Sequence, residues 1–123
     1  MQVISTNNAP QAIGPYSQAI TTNGLIFTSG QIALDSQNQM SKGGIEAQTR
    51  QVLENLSAIL QAQNSALDKV IKTTIFLADM ADFSVVNEIY AEYFGSHKPA
   101  RSTVAVKSLP KDALIEIECI ALV

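Results

Sequence analysis

Leu114-Ile115-Glu116-Ile117-Glu118-Cys119-Ile120 is the stretch on which the fold turns. Side chains alternate along a strand, so Leu114, Glu116, Glu118 and Ile120 share one face, and Ile115, Ile117, Cys119 and Ala121 the other. The second set is apolar throughout and reads as core lying under helices. The first carries two carboxylates and must face something else.

The neighbouring sequence supplies the rest of such a layer. Arg101 to Lys107 and Ala113 to Val123 read as strands, separated by the turn Ser108-Leu109-Pro110-Lys111-Asp112, where proline's fixed φ fits. Val70 to Leu77, β-branched and broken only by Lys72 and two threonines, reads as a mostly buried strand. Ile45, Val52, Leu53, Leu56, Ile59 and Leu60 follow helical spacing after Gly43-Gly44 and fade by Asn64, a left-handed terminator. A second helix, capped by Asp79 or Asp82, carries Phe83, Val86, Tyr90, Tyr93 and Phe94 on one side and ends at Gly95. Near the start, Asn7, Asn8, Pro10, Gly14 and Pro15 form a turn-rich opening. Strands around Ser17 to Thr22 and Leu25 to Ile32 follow, joined by Asn23-Gly24, a strong hairpin signal. The order strand, strand, helix, strand, helix, strand, strand predicts an α+β layer, one mixed sheet with two helices on one face. The other face then meets solvent or another subunit. With 46% hydrophobic and only 15% charged residues, another subunit is favoured, in closed cyclic assembly.

A chain of 123 residues without repeats or linker-like tracts is expected to be one domain, 1–123. The net charge of −3, and eight Lys and Arg that form no run, argue against a nucleic-acid or anionic-membrane binder and leave recognition of a small anion open. Cys119 stands alone, so no internal disulfide and no Cys-x-x-Cys site exists; a reducing, cytoplasmic setting fits. The first residues carry neither a basic region nor a long apolar stretch. No segment approaches the ~18 apolar residues of a membrane span, so a soluble protein that is not exported is expected.

Arg101 and Glu116 sit where charges are rarely left unpaired. From residue type and spacing alone a structural or inter-subunit salt bridge is the favoured reading, and the alternative is a ligand site in which a guanidinium grips a carboxylate and a glutamate holds a water or moves a proton. Arg101 and Thr103 alternate with Ser102 and Val104; if this strand pairs with the last one, Arg101 lies near a glutamate on the same face. Tyr16, following Gly14-Pro15, would pack its ring to anchor a turn. Asn87 would be a solvated helix residue, and Gly30 a bulge or a close backbone approach. Glu118 reads as an interface or solvent charge and Cys119 as a small buried hydrophobe. His97 lies in the turn-like Gly95-Ser96-His97-Lys98-Pro99 and is placed on a surface loop; no second His or Cys cluster points to a metal. Ser41-Lys42-Gly43-Gly44 lacks phosphate-loop spacing.

The string Pro99-Ala100-Arg101-Ser102-Thr103-Val104-Ala105-Val106-Lys107-Ser108-Leu109, with Leu114-Ile115-Glu116-Ile117, closely resembles the signature of the reactive intermediate deaminase A family, also called YjgF-type. Ala12-Ile13-Gly14-Pro15-Tyr16-Ser17-Gln18-Ala19 resembles its first motif and Thr28-Ser29-Gly30-Gln31-Ile32 its second. Lys72-Thr73-Thr74-Ile75-Phe76, with Asp82-Phe83 and Val86-Asn87, resembles its third. The resemblance implies a chorismate-mutase-like α+β domain in a homotrimer with ligand sites between subunits. It implies hydrolysis of 2-imino acids such as 2-iminobutanoate and 2-iminopropanoate, or their enamine tautomers, to 2-keto acids and ammonia, with no cofactor or metal of its own. By position, Arg101 would hold the substrate carboxylate and Glu116 would orient or deprotonate water and then protonate departing ammonia. Gly30 and Thr103 would line the pocket with backbone groups, and Tyr16 and Asn87 would close it. Many relatives have cysteine where this chain has Thr103. A non-catalytic 2-keto acid binder or regulator stays open as an alternative, as do the ribonuclease or translation-inhibiting activity attributed to some members and a chaperone-like role.

Overall fold

A computed structural model describes residues 1–123. It contains strands β1 (Gln2–Ile4), β2 (Ala19–Thr22), β3 (Leu25–Thr28), β4 (Val70–Leu77), β5 (Ala100–Ala105) and β6 (Ile115–Leu122), and helices α1 (Gly44–Gln61) and α2 (Phe83–Phe94). The strands form one mixed sheet in the order β1-β2-β3-β6-β4-β5. Only β4 and β5 run parallel, with α2 as the crossover between them.

The alternation in the last strand is realised as read. Ile115, Ile117, Cys119 and Ala121 are at most 3% exposed and join one hydrophobic cluster with Val52, Leu53, Leu56, Ile59 and Leu60 of α1 and Val86, Ile89, Tyr90 and Phe94 of α2. Each such side chain contributes about 1.5–3 kcal/mol on burial. Gly43 (φ 116°) and Gly44 (φ 75°) turn the chain into α1. Asn64 (φ 55°) ends the helical region, and Ser65 N–H reaches back to Leu60 C=O at 3.0 Å.

The opposite sheet face carries no helix. Its register aligns Val3, Ile20, Phe27 and Ile120 in one row across β1, β2, β3 and β6. Val3 is 60% exposed and Phe27 40%, and Val104 and Leu122 on the same face are also exposed. For a chain of this size that is an unusual apolar surface.

Four local readings change. The turn-rich opening hides β1, which Gln18 secures from inside: its buried amide accepts from Thr6 N–H (2.7 Å) and donates to the carbonyls of Thr6 (3.0 Å) and Pro10 (2.7 Å). β3 stops at Thr28, and the chain runs through Ser29 and Gly30 to an isolated bridge between Gln31 and Ile117. Asp79 caps a short 3-10 turn, Met80–Asp82, by accepting from Ala81 N–H, while Asp82 makes no side-chain cap at the start of α2. The Pro110 turn is a single 3-10 turn in which Lys111 (φ 55°) and Asp112 (φ 54°) are left-handed.

Candidate active site

Arg101 and Glu116 do not meet within the chain, contrary to the shared face expected for them. β5 does not pair with β6, because the crossover through α2 lays β5 alongside β4 at the sheet edge. Arg101 pairs in register with Thr73, and Thr73 with Cys119, so Arg101 stands in a helix-side row. Thr103 falls in the next such row, with Ile75 and Ile117. Glu116 pairs with Phe76, and Phe76 with Val104, in a row on the open face. The two residues are two strand spacings apart across the sheet, roughly 10 Å, are offset by three residues along it, about another 10 Å, and lie on opposite sides.

Each charge has its own cleft. Arg101 borders one of about 430 Å³, with Asn87, Tyr90, Phe94, His97 and Lys98. Its Nη1 donates to Asn87 Oδ1 at 2.8 Å, and its guanidinium lies 4.9 Å from the Tyr90 ring centre and 5.5 Å from that of Phe83. Phe83, Asn87 and Tyr90 occupy one face of α2 by their i, i+4, i+7 spacing, a signal present in the sequence but legible only once Arg101 is known to lie beneath that helix. Tyr90 is itself fixed by a 2.7 Å hydrogen bond between its hydroxyl and that of Thr73. The fork is thus held by one hydrogen bond and two π faces, and no carboxylate pairs with it; both ion pairs of the chain belong to Arg50.

Val106 N–H donates to Leu77 C=O at 2.8 Å, which sets the parity of the parallel ladder. Alternate residues Val104 and Ser102 turn toward β4, leaving the backbone groups of Arg101, Thr103 and Ala105 along the free sheet edge. The Thr103 hydroxyl is buried without a hydrogen-bond partner.

Glu116 borders the second cleft, about 550 Å³, with Tyr16, Ser29, Gly30, Gln31, Asn38 and Lys111 among its walls. Gly30 is there for contact. A Cβ at that position would lie 2.7 Å from Glu116 Oε2, 2.8 Å from Cδ and 3.0 Å from Cγ, so only glycine lets the glutamate lie flat on the backbone. Asn55 of α1 holds the following segment, donating to Leu34 C=O at 2.7 Å and Ile32 C=O at 3.3 Å. Burial, and secondarily the charge of Glu118 on the same face, push the Glu116 carboxyl above the ordinary carboxylate range.

The six residues therefore divide into Tyr16, Gly30 and Glu116 in one cleft, Asn87 and Arg101 in the other, and Thr103 two residues beyond Arg101 on the edge strand β5. Glu118 is exposed on the open face. Cys119 is buried beside Thr28, and burial raises its thiol to about 11, so it is inert. His97 departs from the surface-loop reading: it is half-buried, with Nε2 2.6 Å from Val70 C=O, because the chain leaving α2 must cross the start of β4 to enter β5. Asn38 and Lys111 lacked any signal, since neither lies in a motif and only the folded turns bring them to Glu116. No group of three or more His, Cys, Asp or Glu side chains converges on a point where a metal ion would sit.

Residues 6–123 match the protein family described as Endoribonuclease L-PSP. The chain is 53% identical over 121 residues to the Reactive Intermediate Deaminase A, chloroplastic, of Arabidopsis thaliana, covering 98% of this chain and 65% of that protein. It is 48% identical over 122 residues to the 2-iminobutanoate/2-iminopropanoate deaminase of Homo sapiens, covering 98% and 89%. Among solved structures, E. coli TdcF with bound serine superposes with a TM-score of 0.95 at 40% identity, over 100% of this chain and 99% of that one. This chain belongs to the Endoribonuclease L-PSP family, the reactive intermediate deaminase A or YjgF-type family.

Proposed function

We propose that this protein is a cofactor-independent deaminase that hydrolyses 2-imino acids, 2-iminobutanoate and 2-iminopropanoate among them, or their enamine tautomers, at sites between the subunits of a cytoplasmic homotrimer. One observation carries the reading: Arg101 is a pre-oriented guanidinium without a protein carboxylate, held by Asn87, Phe83 and Tyr90 beside a free sheet edge. Such a fork fits a small carboxylate with two parallel hydrogen bonds. The names of relatives at about half identity over nearly the whole of this chain point to the same chemistry.

The apolar open face supports assembly, and the division of the six residues explains why assembly is needed. Glu116, Gly30 and Tyr16 of one subunit face Arg101, Asn87 and the Thr103 N–H of the next, and neither half is a site alone. Arg101 holds the substrate carboxylate. Glu116, its carboxyl pKa raised by burial, takes a proton from water as the oxygen bonds to the carbon of the protonated imine and the C=N electron pair moves to nitrogen, giving a neutral carbinolamine. It then returns that proton to the amine nitrogen, and as the C–N bond breaks and the C=O bond forms it takes the carbinolamine hydroxyl proton, which passes on to solvent, releasing ammonia and the 2-keto acid. Proton and charge balance, and the acid–base share is worth ~10²- to 10⁴-fold.

The test uses 2-iminobutanoate generated in situ, with semicarbazide trapping to read the imine that escapes hydrolysis. Arg101→Ala and Glu116→Gln should each abolish turnover. Co-expressed in equal amounts, they should restore about a quarter of wild-type activity, because three-quarters of random trimers are mixed and each mixed ring has one intact junction of three. No recovery would place both groups in the same subunit's site and refute the shared one. Tight binding of 2-ketobutyrate without turnover would instead favour a carboxylate-binding regulator. RNA cleavage that survives both substitutions would not belong to these residues, and the net charge of −3 offers nucleic acid no basic track.

A further inference from the structure

Thr73 places a fully buried hydroxyl on the helix side of β4, where Ile75 and Leu77 continue the same row and a valine would serve packing as well. Its partner is the Tyr90 hydroxyl, at 2.7 Å. Thr73 is also the register partner of Arg101, so the residue that holds Tyr90 and the residue that carries the guanidinium share one rung of the sheet. The Tyr90 ring, only 7% exposed, stacks on Phe94 with centroids 4.4 Å apart and lies 4.9 Å from the guanidinium. The hydroxyl pair therefore ties α2 to the rung from which Arg101 projects, and fixes the π face against which the fork rests. Asn87 takes one N–H of that fork and leaves the other donors for a ligand. A loose arginine gives up rotamer freedom each time it grips a ligand, whereas one already held against a ring gives up less.

We propose that Thr73 and Tyr90 are positioning residues for the carboxylate clamp: their hydroxyl pair sets the place of Arg101, and with it the preference of the site for carboxylates over neutral ligands of the same size. The assignment rests on the deaminase reading for the identity of the substrate, and both residues act through Arg101. A buried hydroxyl pair that only satisfied itself would act on stability alone. One that places the guanidinium acts on every ligand that engages Arg101, and on none that does not.

Titration calorimetry of the full chain with 2-ketobutyrate and its neutral isostere 2-oxobutanamide, beside steady-state kinetics on 2-iminobutanoate, tests this. Wild type should bind the carboxylate at least about tenfold more tightly than the amide. Thr73→Val should lower that preference about fivefold, through the carboxylate Kd alone, and raise KM about as much with a smaller change in kcat. Thr73→Ser, which keeps the hydroxyl, should restore both. Tyr90→Leu, which removes the ring, should cut the preference about tenfold. Thr73→Val and Tyr90→Phe each strand one buried hydroxyl and should lower Tm; the double variant removes both hydroxyls, and should recover Tm while keeping the lowered preference. If a stranded hydroxyl keeps a single variant from folding, the double variant decides. An unchanged preference in Thr73→Val, a preference that recovers with Tm in the double variant, or equal weakening of both ligands overturns the assignment. Wild type that binds 2-ketobutyrate but leaves 2-iminobutanoate unhydrolysed would sink the deaminase reading instead, and the calorimetric comparison of the variants would still decide the role of the pair.

Discussion

Gly30→Ala is the most economical probe of how Glu116 is positioned. The added methyl carbon would sit 2.7 Å from Glu116 Oε2, 2.8 Å from Cδ and 3.0 Å from Cγ. Rotating the carboxyl alone relieves the first contact but not the last, so the side chain must leave its χ1 or χ2 well. Staggered wells are about 120° apart, and such a change carries the carboxyl by more than ~2 Å. Misplacement by ~1 Å can cost a catalytic group 10²-fold, so kcat on 2-iminobutanoate should fall at least 10²-fold and approach the Glu116→Gln value. Gly30 does not have a left-handed backbone, and Glu116 is only half-buried, so overpacking should cost no more than about 1 kcal/mol, the low end of its usual range. Steady-state kinetics and thermal melts separate the two effects. The double variant Gly30→Ala/Glu116→Gln should be no slower than Glu116→Gln alone, since the glycine acts only through the glutamate. Wild-type kcat in Gly30→Ala, or a double variant that loses far more than Glu116→Gln, would refute the reasoning.

Four further outcomes are expected. Folding raises the Glu116 pKa, so the folded chain binds that proton more tightly and stability falls as pH climbs from the unfolded-state value through the folded one; Glu116→Gln should therefore raise Tm at about pH 7 and bring no gain near pH 4. Because Glu118 is the secondary cause of that shift, Glu118→Gln should move the acid limb of kcat/KM to lower pH in a pH–rate profile. Thr103→Val removes a buried hydroxyl that has no partner and should add about 1 kcal/mol in denaturant unfolding. Phe27→Glu puts a charge in the exposed apolar row, and light scattering should show subunit dissociation together with loss of turnover.

Apart from β1, the elements and their order were legible along the chain because they are written in local chemistry. Alternation in Ile115–Leu122 separated core from open face; helical spacing from Ile45 to Leu60 and the left-handed Asn64 bounded α1; Asn23-Gly24 made the hairpin. The motif residues were equally visible, and Arg101 and Glu116 stand within strands as expected. Sequence also located Gly30 without giving its reason, which is a carboxylate lying against its backbone.

Tertiary structure decided what depends on pairing between distant segments. Strand adjacency is not a local property: the crossover through α2 put β5 beside β4 rather than β6, and a side chain's face follows from its register partner. That choice sent Arg101 toward α2 and Glu116 to the bare face, turning one expected constellation into two half-sites. The same folding brought Asn38 and Lys111, residues with no sequence signal, to the cleft of Glu116. Periodicity records which side of its own element a residue occupies; only the packed sheet determines what stands opposite it.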